Sequence, residues 1–466
     1  MYFFDRNPEF AAHTLFVDDQ NHSISYSTWY NTAESLKDII KPRSLAAIIC
    51  HNTIGSALAY LSCLQCRIVP ILIDHDMDAD LQHQLIKRYS PAYIFRPVAD
   101  NTHPPLYTMA DYGLYRIAHD SPALYTELAL LLTTSGSTGS PKLVRQSYEN
   151  LQANAASIAT YLNLTCADRP ISTLPMHYTF GLSVINSHVL CGATEYLTEA
   201  TVFEPSFWDF CKRSHITSIA GVPFTYECLN RLHIDAMPLP DLTLFIQAGG
   251  KLSKKLQEKY GRFAAETGRR FIVMYGQTEA TARMSYLPAQ DCLRKLGSIG
   301  IAIPGGTFHI MDDDHTELAV PGVVGELCYD GPNVTLGYAH DASDLCLGDE
   351  RHGHLCTGDM AYRDSDGFYY ITGRKKRFVK IMGKRVSLDE VEQLFKNAFT
   401  DGEFACTGQD DDLRIFTTSS KSIDVLEQFL MNKTGLHPSC FSIIVVPAIP
   451  KNSSGKIQYT ELFNSD

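Results

Sequence analysis

The first two thirds of the chain alternate short apolar runs with amphipathic stretches. Continuous apolar runs predict buried strands, and apolar residues three or four positions apart predict helices. The predicted strands are 45–50, 68–73, 92–95, 193–197, 216–220, 242–247 and 270–274. The predicted helices are 53–66, 81–89, 150–162, 205–214, 226–232 and 254–267. This alternation predicts an α/β fold built on mainly parallel sheets.

The pattern changes after residue 295, where glycine and proline become frequent. Short alternating runs such as 326–329 predict a β-rich, antiparallel subdomain over residues 295–373. A helix is predicted over 389–397, within an α+β unit that closes the chain. We therefore expect an N-terminal domain of residues 1–373 and a C-terminal domain of residues 374–466.

The distribution of charge supports this boundary. From Arg374 onward Lys and Arg number 13 and Asp and Glu number 12, so this part carries +1 and the preceding part −13. The whole chain has a formal net charge of −12, which argues against nucleic acid as its main partner. A basic run opens the second part at residues 374–377, and a solvated surface is the ordinary interpretation of such a run.

The composition is that of a soluble globular protein, with 45% hydrophobic and 20% charged residues. Apolar runs fall short of the ~20 residues that a bilayer span needs, and charged residues near the start argue against a signal peptide. Thirteen scattered cysteines predict buried thiols in a reducing compartment. Cys63 and Cys66 have no second pair that would complete a zinc site. We expect a cytoplasmic protein without membrane insertion.

The most informative motif is the loop 131–142, which reads LLTTSGSTGSPK. Its glycines let successive backbone amides point into one concavity, which hydroxyl groups and Lys142 surround with further donors and a positive charge. Such a loop suits a polyphosphate. It lacks the spacing of a Walker A loop, and an ordinary Ser/Gly turn remains the alternative for this motif alone.

Four further motifs are weak when taken singly. The segment 275–281 follows a predicted strand, and its Thr278 and Glu279 could bind a phosphate oxygen and Mg²⁺. Asp359 ends a T-G-D turn and could accept the hydroxyls of a ribose. The last two motifs are G-R-x-K at 373–376 and the Gly/Ser loop 450–457 with Lys456, which is ordinarily only exposed.

Taken in order, these motifs resemble those of the adenylate-forming superfamily, which includes acyl- and aryl-CoA synthetases, nonribosomal-peptide adenylation domains and luciferases. Further matches are P-M-H at 175–177 with F-G at 180–181, G-V-P at 221–223, A-G-G at 248–250 and G-E-L at 325–327. The resemblance runs from about residue 44 to residue 462. It implies a large N-terminal domain of stacked α/β sheets with a β-rich piece, and a small mobile C-terminal domain.

The resemblance also implies roles for single residues. The nucleotide would be bound by Thr134, Ser135, Gly136, Ser137, Thr138, Gly139, Lys142, Gly249, Tyr275, Gly276, Gln277, Asp359 and Arg374. Thr278 would contact the α-phosphate of ATP, and Glu279 would coordinate Mg²⁺. Lys456 would bridge the carboxylate and the α-phosphate. Lys376 would be the hinge that brings the face around Lys380 and Gly383 to the site for thioester formation.

The acid substrate is less defined. The implied acyl pocket consists of Phe180, Gly181, Gly249, Gly250, Gly276 and Gln277, with Arg283 more distant. His177 resembles a gate or substrate-orienting residue of the family, and a packed histidine is the alternative. The segment 177–183 contains no carboxylate to pair a substrate ammonium, which disfavours an α-amino acid. An aryl, cinnamate-like or medium aliphatic acid fits.

We therefore expect an ATP-dependent ligase that forms an acyl-adenylate and passes the acyl group to a thiol. The thiol belongs to CoA or to the phosphopantetheine of an acyl or peptidyl carrier protein. The short chain is typical of a stand-alone ligase. The alternatives are an amino-acid-adenylating enzyme that loads a carrier and a non-catalytic nucleotide-binding protein on the same fold.

Overall fold

A computed structural model describes residues 1–98, 104–118, 120–133, 142–375, 377–381, 384–409, 411–451 and 457–463, with the side chains at 378, 380, 384, 385, 460 and 463 left out. Over these residues the chain divides into two compact units. The first comprises the residues up to Thr307 together with Tyr329–Leu355. The second comprises Phe308–Cys328 and the residues from Cys356 onward.

The α-helices are distributed over both units. They are α1 (Tyr26–Lys37), α2 (Ile54–Gln65), α3 (Ala79–Tyr89), α4 (Tyr148–Leu162), α5 (Thr179–Leu190), α6 (Pro205–Arg213), α7 (Pro223–Arg231), α8 (Lys254–Thr267), α9 (Leu388–Ala398), α10 (Ile423–Thr434) and α11 (Tyr459–Phe463). No helix within the described ranges is long and apolar enough to cross a membrane.

The strands alternate with these helices in the first unit and are denser in the second. In chain order they are β1 (Thr14–Asp18), β2 (Ser23–Ser25), β3 (Leu45–Cys50), β4 (Val69–Asp74), β5 (Tyr93–Pro97), β6 (Tyr107–Met109), β7 (Tyr112–Arg116), β8 (Leu128–Thr133), β9 (Leu143–Ser147), β10 (Pro170–Ile171), β11 (Glu195–Leu197), β12 (Ser218–Gly221), β13 (Leu244–Gln247), β14 (Arg270–Tyr275), β15 (Ser285–Leu287), β16 (Ile301–Ala302), β17 (Thr307–Met311), β18 (Gly325–Asp330), β19 (Gly337–Ala339), β20 (His354–Arg363), β21 (Tyr369–Arg374), β22 (Phe378–Ile381), β23 (Lys384–Ser387), β24 (Phe404–Gln409), β25 (Asp412–Thr417) and β26 (Phe441–Val445).

The predicted α/β class is confirmed. The predicted strand 45–50 is β3, and the predicted helix 254–267 is α8. Local chemistry sets several helix starts: the Asp78 side chain accepts the backbone N–H of Asp80 at the start of α3, and Ser147 and Asn150 form a capping box at the start of α4. Helices α1, α5, α10 and α11 were not predicted from the sequence. In α5 nearly every residue is buried, so its apolar positions show no helical period.

The first unit contains two large sheets. The nine-stranded sheet has the order β16-β15-β14-β13-β12-β10-β11-β1-β2, and its inner strands from β14 to β1 are parallel. The eight-stranded sheet has the order β19-β9-β8-β4-β3-β5-β7-β6, with β8, β4, β3 and β5 parallel. Helix α2 packs on β3, β4 and β5 of this sheet and on β1 of the other. The two sheets are therefore stacked with buried helices between them.

The second unit is smaller and richer in strands. It contains most of the four-stranded sheet β17-β18-β20-β21, the hairpin β22-β23 and the sheet β24-β25-β26. Its core lies between α9, α10 and these strands, around Phe395, Phe404 and Leu430. The predicted helix 389–397 corresponds to α9. The predicted hinge residue 376 lies outside the described residues, and the predicted domain division at residue 373 stays a prediction.

Candidate active site

A tight turn after β14 carries the predicted phosphate and magnesium residues Thr278 and Glu279. Position 276 needs glycine, because a Cβ atom there would lie 1.6 Å from the carbonyl oxygen of Ala282. Thr281 and Ala282 adopt positive φ angles of 55° and 107°. A backbone of this kind costs about 1–3 kcal/mol per residue and is found mainly at functional sites. The turn is therefore shaped for a purpose other than stability.

Glu279 is held at both its backbone and its side chain. Its carbonyl oxygen accepts hydrogen bonds from the backbone N–H and hydroxyl of Thr335, at 3.0 and 2.9 Å, and from Arg351 Nη1 at 3.0 Å. Its carboxylate oxygen Oε1 accepts the hydroxyl of Tyr338 at 2.7 Å. The carboxylate is therefore oriented by the protein itself.

Lys142 lies against the ring of the same tyrosine, Tyr338. Its ammonium lies 3.5 Å from the centroid of the Tyr338 ring, and Cζ of Arg351 lies 4.8 Å from that centroid. Burial, with the charge of Glu279 as a second cause, raises the pKa of Tyr338 to about 12. The hydroxyl therefore stays protonated at neutral pH and remains a donor. Through this one tyrosine the structure brings Lys142 and Glu279 together.

The groups around this turn fit magnesium and a phosphate. Glu279 Oε2 and the hydroxyl of Thr278 make no hydrogen bond to any other residue that the structure describes. An oriented carboxylate oxygen is the kind of hard ligand that Mg²⁺ takes. The hydroxyl of Thr278 and the ammonium of Lys142 are donors for phosphate oxygens.

The predicted ribose residues lie in the second unit. Asp359 on β20 is the register partner of Arg374 on β21, and Asp359 Oδ1 lies 2.6 Å from Arg374 Nε. The hydroxyl of Thr357 donates to the carbonyl of Leu327 at 2.7 Å and accepts the N–H of Asp359 at 3.0 Å. The Asp359 side chain is 4% exposed and that of Arg374 is 55% exposed. The pair offers a fixed acceptor and an accessible donor for hydroxyl groups.

His177 contacts a carboxylate that the sequence analysis did not consider. Its Nε2 lies 3.3 Å from Oδ2 of Asp74, at the end of β4. Burial lowers the pKa of His177, and the charge of Asp74 opposes that shift. A neutral imidazole that donates to Asp74 from Nε2 keeps its lone pair on Nδ1, a buried atom without a partner among the described residues. Such an acceptor costs free energy unless a ligand or water pairs it.

The predicted acyl-pocket residues lie where β13, β14 and α5 meet. Gly249 has φ of 78°, and a Cβ atom there would lie 2.7 Å from the Tyr178 hydroxyl oxygen, just before Phe180 and Gly181 in α5. Gly250 follows directly. Gln277 Nε2 lies 3.2 Å from the hydroxyl of Tyr275. The structure thus places Gly249 beside the start of α5, and the acyl-pocket role of these residues stays a prediction.

Arg283 lies closer to this pocket than the sequence analysis placed it. Its Cζ is 5.1 Å from the centroid of the Phe180 ring, and its Nε donates to Ser183 Oγ at 3.0 Å. The residue is 1% exposed, and its Nη2 has no hydrogen-bond partner. Within the described part of the chain it forms no ion pair. A buried positive charge therefore lies beside the pocket without a negative partner.

Comparison with protein-family models matches residues 3–339 to the AMP-binding enzyme family. The chain belongs to the AMP-binding enzyme family. The chain is 29% identical to a 2-succinylbenzoate–CoA ligase of Listeria monocytogenes, over 72% of this chain and 69% of that protein. It is 28% identical to a medium-chain fatty-acid–CoA ligase of Escherichia coli, over 74% of this chain and 64% of that protein.

The fold also matches that of a solved CoA synthetase. The o-succinylbenzoate CoA synthetase of Bacillus subtilis in complex with ATP and magnesium ion superposes with a TM-score of 0.79. The two chains are 20% identical, and the superposition covers 97% of this chain and 96% of the synthetase. These findings confirm the predicted enzyme class, an ATP-dependent, AMP-forming acid–thiol ligase.

Several predicted site residues cannot be placed. Thr134, Ser135, Gly136, Ser137, Thr138, Gly139, Lys376, Gly383 and Lys456 lie outside the described residues. The backbone of Lys380 lies in β22, and its side chain is not described. Their roles stay predictions.

Sequence reasoning also missed residues that shape the site. Tyr338, Thr335 and Arg351 surround Glu279 from distant positions in the chain, and none belongs to a recognisable motif. Asp74 had a usable signal, because it ends a predicted strand at the carboxyl edge of a parallel sheet. That edge is where sites in α/β folds commonly lie.

Proposed function

We propose that the enzyme joins a small carboxylic acid to the thiol of CoA. In the first step the carboxylate attacks the α-phosphorus of ATP, and pyrophosphate leaves with its bonding electron pair. In the second step the thiol sulfur attacks the acyl carbon of the adenylate, AMP leaves, and the thiol proton passes to solvent. The observation that carries this proposal is the Tyr338 hydrogen bond that aims Glu279, with Lys142 on the same ring.

The described residues would divide the first step among them. Lys142 would hold terminal phosphates of ATP, and Thr278 would donate its hydroxyl to the α-phosphate. Glu279 would hold Mg²⁺, which supplies positive charge that neutralises the phosphates. Asp359 and Arg374 would bind the ribose. The protein's contribution is alignment and charge stabilisation, because the phosphorus centre gains negative charge as it is attacked.

Lys456 and Lys376 complete the proposal on sequence grounds alone. Lys456 would bring a positive charge between the substrate carboxylate and the α-phosphate. Lys376 would be the hinge about which the C-terminal domain turns between the two steps, bringing Lys380 to the site. A lysine suits the first role because it is a compact charge on a flexible stem.

We propose an aryl, cinnamate-like or medium aliphatic acid as the substrate. The matched relatives act on a benzoate derivative and on medium-chain fatty acids. The unpaired Nδ1 of His177 supports an acid with a hydrogen-bond donor such as a phenol, because a buried acceptor gains most from a partner. The positive charge of Arg283 beside Phe180 would favour an acid with a polar or anionic far end.

CoA is the favoured acceptor because the matched relatives are CoA ligases. The phosphopantetheine of an acyl or peptidyl carrier protein is the alternative, and the basic run from Arg374 suits either phosphate-bearing partner.

We place the reaction in the cytoplasm, since all thirteen cysteines are free thiols and the exposed ones would be oxidised in an oxidising compartment.

Amino-acid adenylation is a second candidate function. The observation in its favour is Asp74, whose carboxylate lies 3.3 Å from His177 and could pair a substrate ammonium. Against amino-acid adenylation, both carboxylate oxygens of Asp74 already have a histidine nitrogen within 4 Å, from His75 and His177. A binding protein without catalysis would not need an oriented Glu279.

The test is to identify the product. The enzyme is incubated with ATP, Mg²⁺, CoA and a panel of aryl, aliphatic and amino acids, and acyl-CoA and AMP are measured by mass spectrometry. The proposal predicts equal amounts of AMP and one acyl-CoA, from an aryl or aliphatic acid. AMP that forms only with an amino acid would favour the second candidate. AMP that forms without any acid would contradict both.

A further inference from the structure

Two histidines stand side by side at the carboxyl ends of β3 and β4. These strands are parallel neighbours, and the last residues of the two strands, Cys50 and Asp74, are register partners. His51 and His75 follow one position later, so the fold itself places them next to each other. Their ring centroids are 4.0 Å apart, with an interplanar angle of 30°.

A carboxylate from the other large sheet joins this pair. Glu199 follows β11, and its Oε1 lies 2.8 Å from Nδ1 of His51. One ligand atom of each of His51, His75 and Glu199 lies within 4.8 Å of the others. Three metal-ligating groups from three separate segments thus converge on one point of the first unit.

The hydrogen bonds of His75 fix which nitrogen is available. Its Nδ1 lies 3.0 Å from the carbonyl oxygen of Cys50, which can only accept, so Nδ1 carries a proton and Nε2 is the nitrogen that can bind a metal ion. A metal-binding histidine commonly has its other nitrogen held by an oxygen in this way. That Nε2 also lies 3.3 Å from the carboxylate oxygen Oδ1 of Asp76. A proton or a metal ion between these two atoms removes their repulsion, and a metal ion would be held by both.

The site is open to solvent and negatively charged. The side chains of His51, His75, Asp76 and Glu199 are 24%, 34%, 74% and 52% exposed. Asp74, whose Oδ1 lies 3.8 Å from Nδ1 of His75, adds a third carboxylate. An ion could enter without unfolding any element, and the charge would attract a divalent cation.

We propose that His51, His75 and Glu199 bind a divalent transition-metal ion of the zinc class. The ion would replace the proton shared by His51 Nδ1 and Glu199, bind Nε2 of His75, and take Asp76 or water as a further ligand. Bond lengths of about 2.0–2.2 Å require the ligand atoms to lie roughly 3–4 Å apart, so the cluster would contract when it binds the ion. Two imidazoles with a carboxylate select zinc, cobalt, nickel or copper over magnesium.

This site shares no residue with the proposed magnesium residue Glu279, and it does not depend on the proposed ligase function. The test uses the full chain without an affinity tag, stripped of metal with a chelator. Calorimetric titration with ZnCl₂ measures stoichiometry and affinity, and titration with CoCl₂ shows by its visible spectrum whether nitrogen and oxygen or thiolate groups bind the ion.

The double variant His51→Ala/His75→Ala is compared with the control His215→Ala. The Nδ1 atom of His215 also lies 2.9 Å from a carboxylate oxygen, that of Asp241. His215 belongs to none of the groups of metal-ligating side chains found among the described residues. We expect one equivalent of zinc to bind the wild type, with a thiolate-free cobalt spectrum. The double variant should lose at least about tenfold in affinity, and the control should be unchanged.

Glu199→Gln gives an independent check, since it keeps the size of the side chain and both histidines. It should weaken zinc binding while the melting temperature of the metal-free protein stays close to that of the wild type. Zinc that binds the double variant as tightly as the wild type would overturn the proposal, as would a cobalt spectrum with thiolate bands or no binding at all.

Discussion

Replacing Tyr338 with Phe tests how the structure orients Glu279. The change removes one hydroxyl, which donates to Glu279 Oε1 at 2.7 Å, and keeps the aromatic ring. Lys142 and Arg351 lie against that ring and would keep their contacts with it. The variant therefore isolates the hydrogen bond to the carboxylate.

The size of the effect follows from the kind of hydrogen bond that is lost. A hydrogen bond to a charged group contributes about 1.5–3 kcal/mol. Glu279 keeps its backbone hydrogen bonds from Thr335 and Arg351, so only the direction of the carboxylate is released. We expect a loss near the lower limit, about 1.4 kcal/mol, which corresponds to a tenfold weaker binding of Mg-ATP.

The assay is acid-dependent release of pyrophosphate as a function of Mg-ATP concentration. The expected result is a KM about tenfold higher with kcat little changed, because the interaction is made in the ground state as well as in the transition state. Tyr89→Phe is the matched control, since its hydroxyl donates at 2.7 Å to the carbonyl of Ala339, one residue beyond Tyr338. An unchanged KM in Tyr338→Phe, or an equal rise in the control, would refute the reasoning.

Three further predictions concern stability and nucleotide binding. Arg145 is fully buried, and it donates to the four backbone carbonyls of residues 336, 338, 347 and 348 and pairs with Glu350. Arg145→Met should lower the free energy of unfolding by about 3–5 kcal/mol in urea titrations, because these carbonyls lose their donor, and a loss below about 1 kcal/mol would contradict this. Asp359→Asn should raise the KM for ATP about tenfold without raising the KM of the acid; equal rises would disprove a ribose contact. Burial lowers the pKa of His188 from 6.5 to about 4, so its contribution to stability is complete above pH 6.5 and is lost as the pH falls towards 4. His188→Gln should therefore flatten the dependence of unfolding on pH in that window, by at most about 1.4 kcal/mol per pH unit, and an unchanged slope would count against it.

The elements that the sequence predicts best are those whose burial leaves a readable pattern. Strand β3 was predicted to the residue because all of its six residues but one are buried and the polar residues Ser44 and His51 flank it. Helix α5 was missed because its residues from Thr179 to Val189 are buried on every side, which removes the helical period. A strand that is buried on both faces is readable as a short continuous apolar run, whereas α5, buried on every side, shows no helical period.

The candidate site divides in a similar way. Thr278, Glu279 and Lys142 belong to continuous motifs, and the structure brings Glu279 and Lys142 together as the motifs predict. Tyr338 could not be predicted, because its role arises from the pairing of β19 with β9, which places a distant residue beside Glu279. His51 and His75 likewise become neighbours only through the register of β3 and β4.

Acid-dependent pyrophosphate release in the absence of any thiol tests the central claim most directly. It is measured across the acid panel for the wild type and for Glu279→Gln, with Glu199→Gln as a control at the separate metal site. We predict release with one class of aryl or aliphatic acid, a loss of at least about tenfold in Glu279→Gln that added Mg²⁺ partly restores, and a normal rate in the control. Release that does not depend on the acid, or that is unchanged in Glu279→Gln, would contradict the account.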